Sequence, residues 1–197
     1  TASTGMDALT HAIEGYTTKA AWEMTDMFHL KAIEIISRSL RSAVANEKEG
    51  REGMALGQYI AGMGFSNVGL GIVHSMAHQL GAVYDTPHGL ANAILLPTVM
   101  RYNGQDSETA QRFREILINI GRPDAAHLND QDVINTFVWK ISELSKEVGI
   151  TQTIKDVGAK EEDFGMLADK AMEDPCKPGN PREVTREDFI ELYRQAM

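Results

Sequence analysis

The chain contains a single cysteine, Cys176, among its 197 residues. An internal disulfide is therefore excluded, and with it the class of small secreted domains that disulfides hold together. The lone thiol favours a reducing compartment, so we expect the protein in the cytoplasm. No basic segment followed by an apolar stretch opens the sequence, and no secretory signal is predicted.

Basic residues are also in deficit. Nineteen Lys and Arg stand against twenty-eight Asp and Glu, which gives a formal net charge of −9 at pH 7. A surface that acidic repels phosphate backbones and anionic lipids, so we expect neither nucleic acid nor a membrane as the main partner. The hydrophobic fraction of 43% is ordinary for a globular protein. At this length the sequence predicts one domain over residues 1–197.

Charged residues are missing altogether from one long stretch, Gly53–Tyr84. The stretch is long enough to cross a bilayer, but it carries Gln58, Asn67 and His74 as well as seven glycines. Polar groups of this kind are costly in lipid without partners. We therefore expect a buried pair of helices within the domain instead of a transmembrane segment.

Sustained alternation of apolar and polar residues, the pattern of a strand, is absent as well. Apolar residues instead recur at helical spacing, and the first such stripe, from Met6 to Tyr16, begins so early that the chain is expected to start at a domain boundary. The sequence predicts an all-α fold of eight or nine helices. After the first, the predicted helices cover about Thr25–Asn46, Arg51–Ser66, Gly71–Val83, Ala91–Asn103, Ser107–Ile120, Asp130–Val148, Glu161–Glu173 and Arg186–Ala196.

A phosphate-binding loop is not recognisable in this chain. The glycine pairs Gly62–Gly64 and Gly69–Gly71 follow no predicted strand, and no glycine-rich segment ends in Gly-Lys. Both the dinucleotide fingerprint and the P-loop pattern therefore fail.

Three of the six histidines, His74, His78 and His88, lie in apolar, charge-free sequence. His74 and His78 are four residues apart and share one helix face, while His88 is expected in a turn that folds back over that face. Asp7 and His11 are also four apart near the start of the chain. A carboxylate with several imidazoles suits Fe²⁺ or Zn²⁺. The spacing leaves two alternatives open, a metal site or buried histidines that are merely hydrogen-bonded.

The other candidates are weaker. Ser75 follows His74, so the glutamate of the His-Glu-x-x-His zinc proteases is missing. His29 and His127 lie among polar neighbours and are predicted to be surface residues. No second cysteine or histidine stands near Cys176 in the sequence, which favours a small loop residue that faces a cleft.

The segments that hold these residues resemble the iron-dependent (group III) alcohol dehydrogenases. Thr4–Glu14, TGMDALTHAIE, resembles the opening of the C-terminal domain of that family. Gly71–Gly81, GIVHSMAHQLG, followed by Pro87–Asn92, resembles its second signature, and the tail Cys176–Arg182 also fits. The resemblance covers essentially all 197 residues.

This resemblance implies an all-helical metal-binding domain of the dehydroquinate synthase-like type. In the family such a domain follows an N-terminal α/β dinucleotide-binding domain, which is expected to be absent from this chain. The resemblance also implies that Asp7, His11, His74 and His88 bind one divalent metal ion, Fe²⁺ or, in some relatives, Zn²⁺.

The implied activity is NAD-dependent hydride transfer between the nicotinamide and a small aldehyde or alcohol, such as lactaldehyde or 1,2-propanediol. His78 would be the catalytic proton relay, and Phe65, Leu70 and Cys176 would border the cofactor and substrate pocket. The full-length protein is expected to be a homo-oligomer, whereas the isolated chain should bind metal but turn over poorly. The alternatives are a zinc-dependent glycerol dehydrogenase-like enzyme and a metal-free helical interaction module.

Overall fold

The computed structural model describes residues 1–197 and consists of nine α-helices, three short 3₁₀ helices and no strand. The predicted all-α fold is confirmed. The α-helices are α1 (Ala2–Thr17), α2 (Glu23–Val44), α3 (Lys48–Val68), α4 (Ile72–Tyr84), α5 (His88–Asn103), α6 (Ser107–Asn119), α7 (Asp130–Glu147), α8 (Phe164–Met172) and α9 (Arg186–Gln195).

Side-chain caps explain why several helices begin where the sequence predicts. Asp106 and Asn129, which precede α6 and α7, each accept a hydrogen bond from the backbone N–H three residues further on. Before α9, Thr185 accepts the N–H of Asp188, and the Asp188 carboxylate accepts the N–H of Thr185 in return. This reciprocal capping satisfies two backbone donors that the helix itself leaves unpaired.

Two boundaries differ from the prediction. His88 was expected in a turn, but it is the first residue of α5, directly after Pro87. The fixed φ of a proline is compatible with the start of a helix, so Pro87 introduces this helix. The helix predicted over Glu161–Glu173 is a 3₁₀ turn, Glu161–Asp163, followed by the shorter α8.

One contiguous cluster of buried apolar side chains draws residues from all nine α-helices. Helix α1 lies near its centre and packs against α2, α3 and α5, while α4 packs between α5 and α8. Because α1, α4 and α5 are neighbours in this core, polar side chains on their facing surfaces are brought together.

The charge-free stretch Gly53–Tyr84 forms most of α3 and all of α4, and only α4 is buried as expected. The outer face of α3 presents Leu56, Tyr59 and Met63 to solvent, with exposed fractions of 51%, 64% and 40%. The expectation of a buried pair is therefore wrong for α3, because α1 and α2 pack against its inner face and leave these residues exposed. None of the nine helices combines the length and the apolar character that a bilayer crossing requires.

The predicted surface position of His29 is also wrong. Its ring is fully buried between α1 and α3, where a Cβ added at Gly15 or Gly64 would lie 2.3 Å from Nε2. Neither ring nitrogen has a hydrogen-bond partner, and burial lowers the pKa of His29 to about 4. The helical period contained the signal, since His29 lies four residues before the buried Ile33. His127 is exposed, as predicted.

Candidate metal centre

Helix α1 presents Asp7 and His11 on one face, one turn apart. Nδ1 of His11 lies 3.9 Å from Oδ1 of Asp7. The imidazole of His11 stacks on the ring of Phe65 from α3, with 4.3 Å between the ring centroids. Burial, and after it the charge of His74, lowers the pKa of His11 to about 4. At neutral pH this ring is therefore uncharged and offers a nitrogen lone pair.

Helices α4 and α5 bring two more imidazoles to the same place. Nε2 of the buried His74 is 3.7 Å from Oδ1 of Asp7, and Nε2 of His88 is 3.4 Å from the same oxygen. The side chain of His88 is 44% exposed, which leaves the group open to solvent on that side. One ligand atom from each of Asp7, His11, His74 and His88 lies within 4.8 Å of all the others. The structure thus brings together all four residues proposed as metal ligands.

Sequence reasoning missed the residue that orients His74. Oε2 of the buried Glu14 accepts a hydrogen bond from Nδ1 of His74 at 2.5 Å, and Oε1 accepts the backbone N–H of Val73 at 2.7 Å. With its Nδ1 bonded to Glu14, the ring of His74 directs Nε2 towards Asp7. The spacing of Asp7, His11 and Glu14 on α1 is i, i+4, i+7, so one helix face was a signal that could have found Glu14.

The charges around the group favour a cation at its centre. Burial by itself lowers the pKa of His74, but the nearby carboxylates of Asp7 and Glu14 outweigh this effect and raise it to about 9. Burial by itself raises the pKa of Asp7, yet His74 and the other imidazoles bring it below its usual value. The carboxylates of Asp7 and Glu14 therefore stabilise a positive charge between them.

Asn92 of α5, a second residue missed by the sequence analysis, tests whether these residues fit a metal ion. Its Nδ2 lies 2.7 Å from Oδ1 of Asp7, 3.2 Å from Nε2 of His74 and 3.1 Å from Nε2 of His88. With its pKa at about 9, His74 carries a hydrogen on Nε2 when no ion is bound, so this N–H and the amide nitrogen of Asn92 face each other at 3.2 Å as two donors, and the buried Oδ1 of Asn92 has no partner at all. A cation would take the place of the hydrogen on Nε2 and remove this clash of donors, and three nitrogens with one oxygen suit Fe²⁺ or Zn²⁺.

His78 stands beside this group but contributes no ligand atom to it. The centroid of its ring lies 5.5 Å from the ring centroid of His88 and 6.0 Å from that of His74. Nδ1 of His78 is 2.8 Å from Oδ2 of Asp174, whose other oxygen accepts the backbone N–H of Cys176 at 2.9 Å. Asp174 is largely buried, and no pattern around it in the sequence marked it as the partner of a histidine 96 residues earlier.

The remaining predicted site residues lie in different surroundings. Phe65 lines an open cavity of about 570 Å³ together with Asp7 and His11, whereas Leu70 and Cys176 do not line it. Leu70 is partly buried in the connection between α3 and α4. Burial, followed by the charge of Asp174, raises the pKa of the Cys176 thiol to about 12. Cys176 is thus a protonated thiol, and its role at a cofactor remains a prediction.

The sequence of the chain matches a family of known proteins. Residues 1–197 match the model of the Fe-containing alcohol dehydrogenase family, C-terminal. Lactaldehyde reductase of Escherichia coli strain K12 is 54% identical over 195 residues, which are 99% of this chain and 50% of that protein. The chain spans about half the length of the curated relatives it matches.

Solved structures agree with the sequence matches. The crystal structure of a 1,3-propanediol oxidoreductase superposes with a TM-score of 0.95 at 43% identity and covers 100% of this chain and 51% of its own. A sulfoacetaldehyde reductase from Bifidobacterium kashiwanohense, solved in complex with NAD⁺, gives a TM-score of 0.85 at 27% identity. That match covers 99% of this chain and 49% of the reductase.

Proposed function

Because the chain belongs to the Fe-containing alcohol dehydrogenase family, as its C-terminal part, we propose that it is the metal-binding half of an NAD-dependent oxidoreductase acting on small aldehydes and alcohols. The observation that carries this proposal is the convergence of Asp7, His11, His74 and His88 within 4.8 Å. Lactaldehyde and 1,2-propanediol are the proposed substrate pair, because a lactaldehyde reductase is 54% identical to the chain.

We propose Fe²⁺ as the ion, with Zn²⁺ as the alternative that the same ligands accept. When bound, the cation would act as a Lewis acid that stabilises negative charge on the substrate oxygen during hydride exchange with the nicotinamide. The protein's own contribution is to hold the ligands. Glu14 fixes the ring of His74, and Asn92 lies against Asp7, His74 and His88 at once.

His78 is the proposed proton relay. The carboxylate of Asp174 accepts the hydrogen on Nδ1, so Nε2 is left as the nitrogen that can take a proton. The side chain of His78 is 39% exposed and can therefore pass a proton between the substrate alcohol and water. Asp174 acts through His78 as a positioning residue, and it is itself held by the backbone N–H of Cys176.

The cofactor is proposed to be NAD, and the sulfoacetaldehyde reductase that was solved with NAD⁺ supports this choice. Phe65, Leu70 and Cys176 would border the nicotinamide and the substrate. The chain has no recognisable phosphate loop, so the pyrophosphate would be bound by the half of the enzyme that this chain does not span. We further propose that the full-length enzyme is a homo-oligomer and that it is located in the cytoplasm.

Iron binding and activity are two separate tests. We expect the chain, purified without oxygen and supplied with Fe²⁺, to retain about one iron atom per molecule by elemental analysis. His88→Ala should lose this iron while the circular dichroism spectrum of the helices stays unchanged. A folded chain that takes up no iron would refute the metal centre and favour the metal-free interaction module.

Activity would be measured with lactaldehyde and NADH, on the 197-residue chain and on the full-length enzyme. We expect turnover only from the full-length enzyme, since the chain alone lacks a phosphate cradle for the cofactor. Rapid turnover by the isolated chain would contradict the proposal that the cofactor is bound mainly by the half of the enzyme that this chain does not span. A preference for glycerol over 1,2-propanediol in the reverse direction would favour the glycerol dehydrogenase-like alternative.

A further inference from the structure

We propose that His78, Asp174 and Cys176 form a second cation site, for Zn²⁺ or an ion of similar chemistry, beside the four-residue metal centre. One ligand atom from each of the three lies within 4.8 Å of the other two. None of the three belongs to the set formed by Asp7, His11, His74 and His88. The two groups of ligands are therefore separate, although His78 and His88 are ring neighbours.

The chemistry of the three donors selects the class of ion. An imidazole nitrogen, a carboxylate oxygen and a thiolate sulfur are the three ligand types that Zn²⁺ accepts, and three protein ligands leave its fourth position for water. A thiolate disfavours Mg²⁺ and Ca²⁺, which take oxygen ligands. We therefore expect the cluster to bind Zn²⁺ or Co²⁺ but not Mg²⁺.

The nitrogen and oxygen donors are held close to the required separation. Asp174 is anchored through Oδ1 by the backbone N–H of Cys176, which leaves Oδ2 at 2.8 Å from Nδ1 of His78. Two ligand atoms at about 2.1 Å from a tetrahedral ion are about 3.4 Å apart, so His78 must rotate slightly. A ring that is 39% exposed has room for this rotation.

Binding exchanges protons for the ion. The Sγ–H of Cys176 breaks and its proton goes to water as the sulfur takes the cation. The hydrogen on Nδ1 of His78 is lost to solvent, and Nε2 gains one, so that the neutral ring now points an N–H where it had a lone pair. An ion in the second site would thus block the proton relay, a consequence that rests on the proposed function, whereas the binding itself does not.

Cobalt is the probe that separates the two sites. We expect metal-free protein to bind two Co²⁺ per chain and to develop thiolate-to-cobalt charge-transfer absorption in the near ultraviolet. Because Cys176 is the only cysteine, this absorption can come from no other residue. Cys176→Ser should abolish the absorption and bind one Co²⁺, whereas His88→Ala should lose the other equivalent and keep the absorption.

The contribution of the other two ligands is tested in the same titration. His78→Ala and Asp174→Asn should each weaken the Co²⁺ affinity, read from the charge-transfer absorption, by more than about tenfold. The proposal is overturned if the wild-type protein binds Co²⁺ without this absorption, or if both variants leave its titration unchanged. Neither result affects the one Co²⁺ per chain that His88→Ala removes. Failure of the second cation site is therefore distinguishable from failure of the first metal centre.

Discussion

The carboxylate of Glu14 accepts the Nδ1 hydrogen of His74 at 2.5 Å, and this contact decides which nitrogen of His74 faces Asp7. The two residues lie on α1 and α4, and both are buried. A second hydrogen bond, from the backbone N–H of Val73, holds the same carboxylate at the start of α4. Glu14 therefore couples the position of the helix to the orientation of the imidazole.

Replacing Glu14 by glutamine tests this coupling. The glutamine side chain has one acceptor oxygen in place of two, so it cannot serve both the Val73 N–H and His74 Nδ1. We expect Glu14→Gln to weaken the affinity for Fe²⁺ by roughly 10–100-fold, measured by competition with a chromophoric chelator. Glu108→Gln, an exposed change on α6, should leave the affinity unaltered. A folded Glu14→Gln variant with wild-type affinity would contradict the role assigned to Glu14.

Gly89 sets the distance between α5 and α1. A Cβ at this position would lie 2.5 Å from the backbone oxygen of Ser3 and 3.2 Å from Cβ of Asp7. Backbone cannot move aside as a side chain can, so Gly89→Ala should push α5 away and separate His88 from Asp7. We expect a loss of about 1–3 kcal/mol in the free energy of unfolding, measured in urea, together with weaker iron binding.

A matched change at another helical glycine controls for propensity. A Cβ at Gly62 on α3 meets no atom within 4 Å. Gly62→Ala should therefore stabilise the chain by up to about 1 kcal/mol, since alanine favours the helix. If both alanine variants shifted the urea midpoint in the same direction, the steric argument at Gly89 would fail.

We expect a change at Asp174 to lower the turnover rate but not to affect iron binding at the first metal centre. An asparagine cannot offset the positive charge of a protonated His78, so Asp174→Asn should lower kcat of the full-length enzyme by about tenfold or more, with KM for the aldehyde less affected. Iron content should stay at the wild-type level. Nitrogen NMR of the His78 ring should show a loss of the preference for the Nδ1–H form.

The exposed Asp169 provides the control for this change, because it pairs only with Arg186 at the surface. Asp169→Asn should leave both kcat and the His78 spectrum as they are. An unchanged kcat in Asp174→Asn, or a fall that tracks lost iron, would remove Asp174 from the proton relay.

His29 makes the stability of the chain depend on pH. Its pKa is about 4 in the folded protein, against about 6.5 for an unfolded chain. Between these two values the unfolded state binds more protons, so the free energy of unfolding falls as the pH decreases from about 6.5 to about 4. For a shift of this size the loss attributable to His29 is at most about 3 kcal/mol.

Urea unfolding at several pH values checks this expectation. His29→Phe removes the titrating group and should flatten the slope of unfolding free energy against pH in this range. The comparison is between slopes, because a phenyl ring packed between two glycines changes the absolute stability as well. Equal slopes in the variant and the wild type would show that His29 does not titrate as its burial requires.

The local rules of the helix accounted for much of this protein from the sequence. The apolar period located most of the helices, and the caps that the structure shows at Asp106, Asn129 and Thr185 explain three of their starts, because each depends on residues within a turn or two of one another. The same rule paired Asp7 with His11. The all-α class and two ligands of the proposed centre on α1 follow from these local spacings.

Only the tertiary structure decided which of these residues meet. Helix packing brought Glu14 to His74, 60 residues away, and Asp174 to His78, 96 residues away. It also buried His29 between two glycines and left the outer face of α3 uncovered. Sequence spacing fixes the face of a helix on which a side chain lies, but the element that packs against that face is chosen by the shape of the whole core.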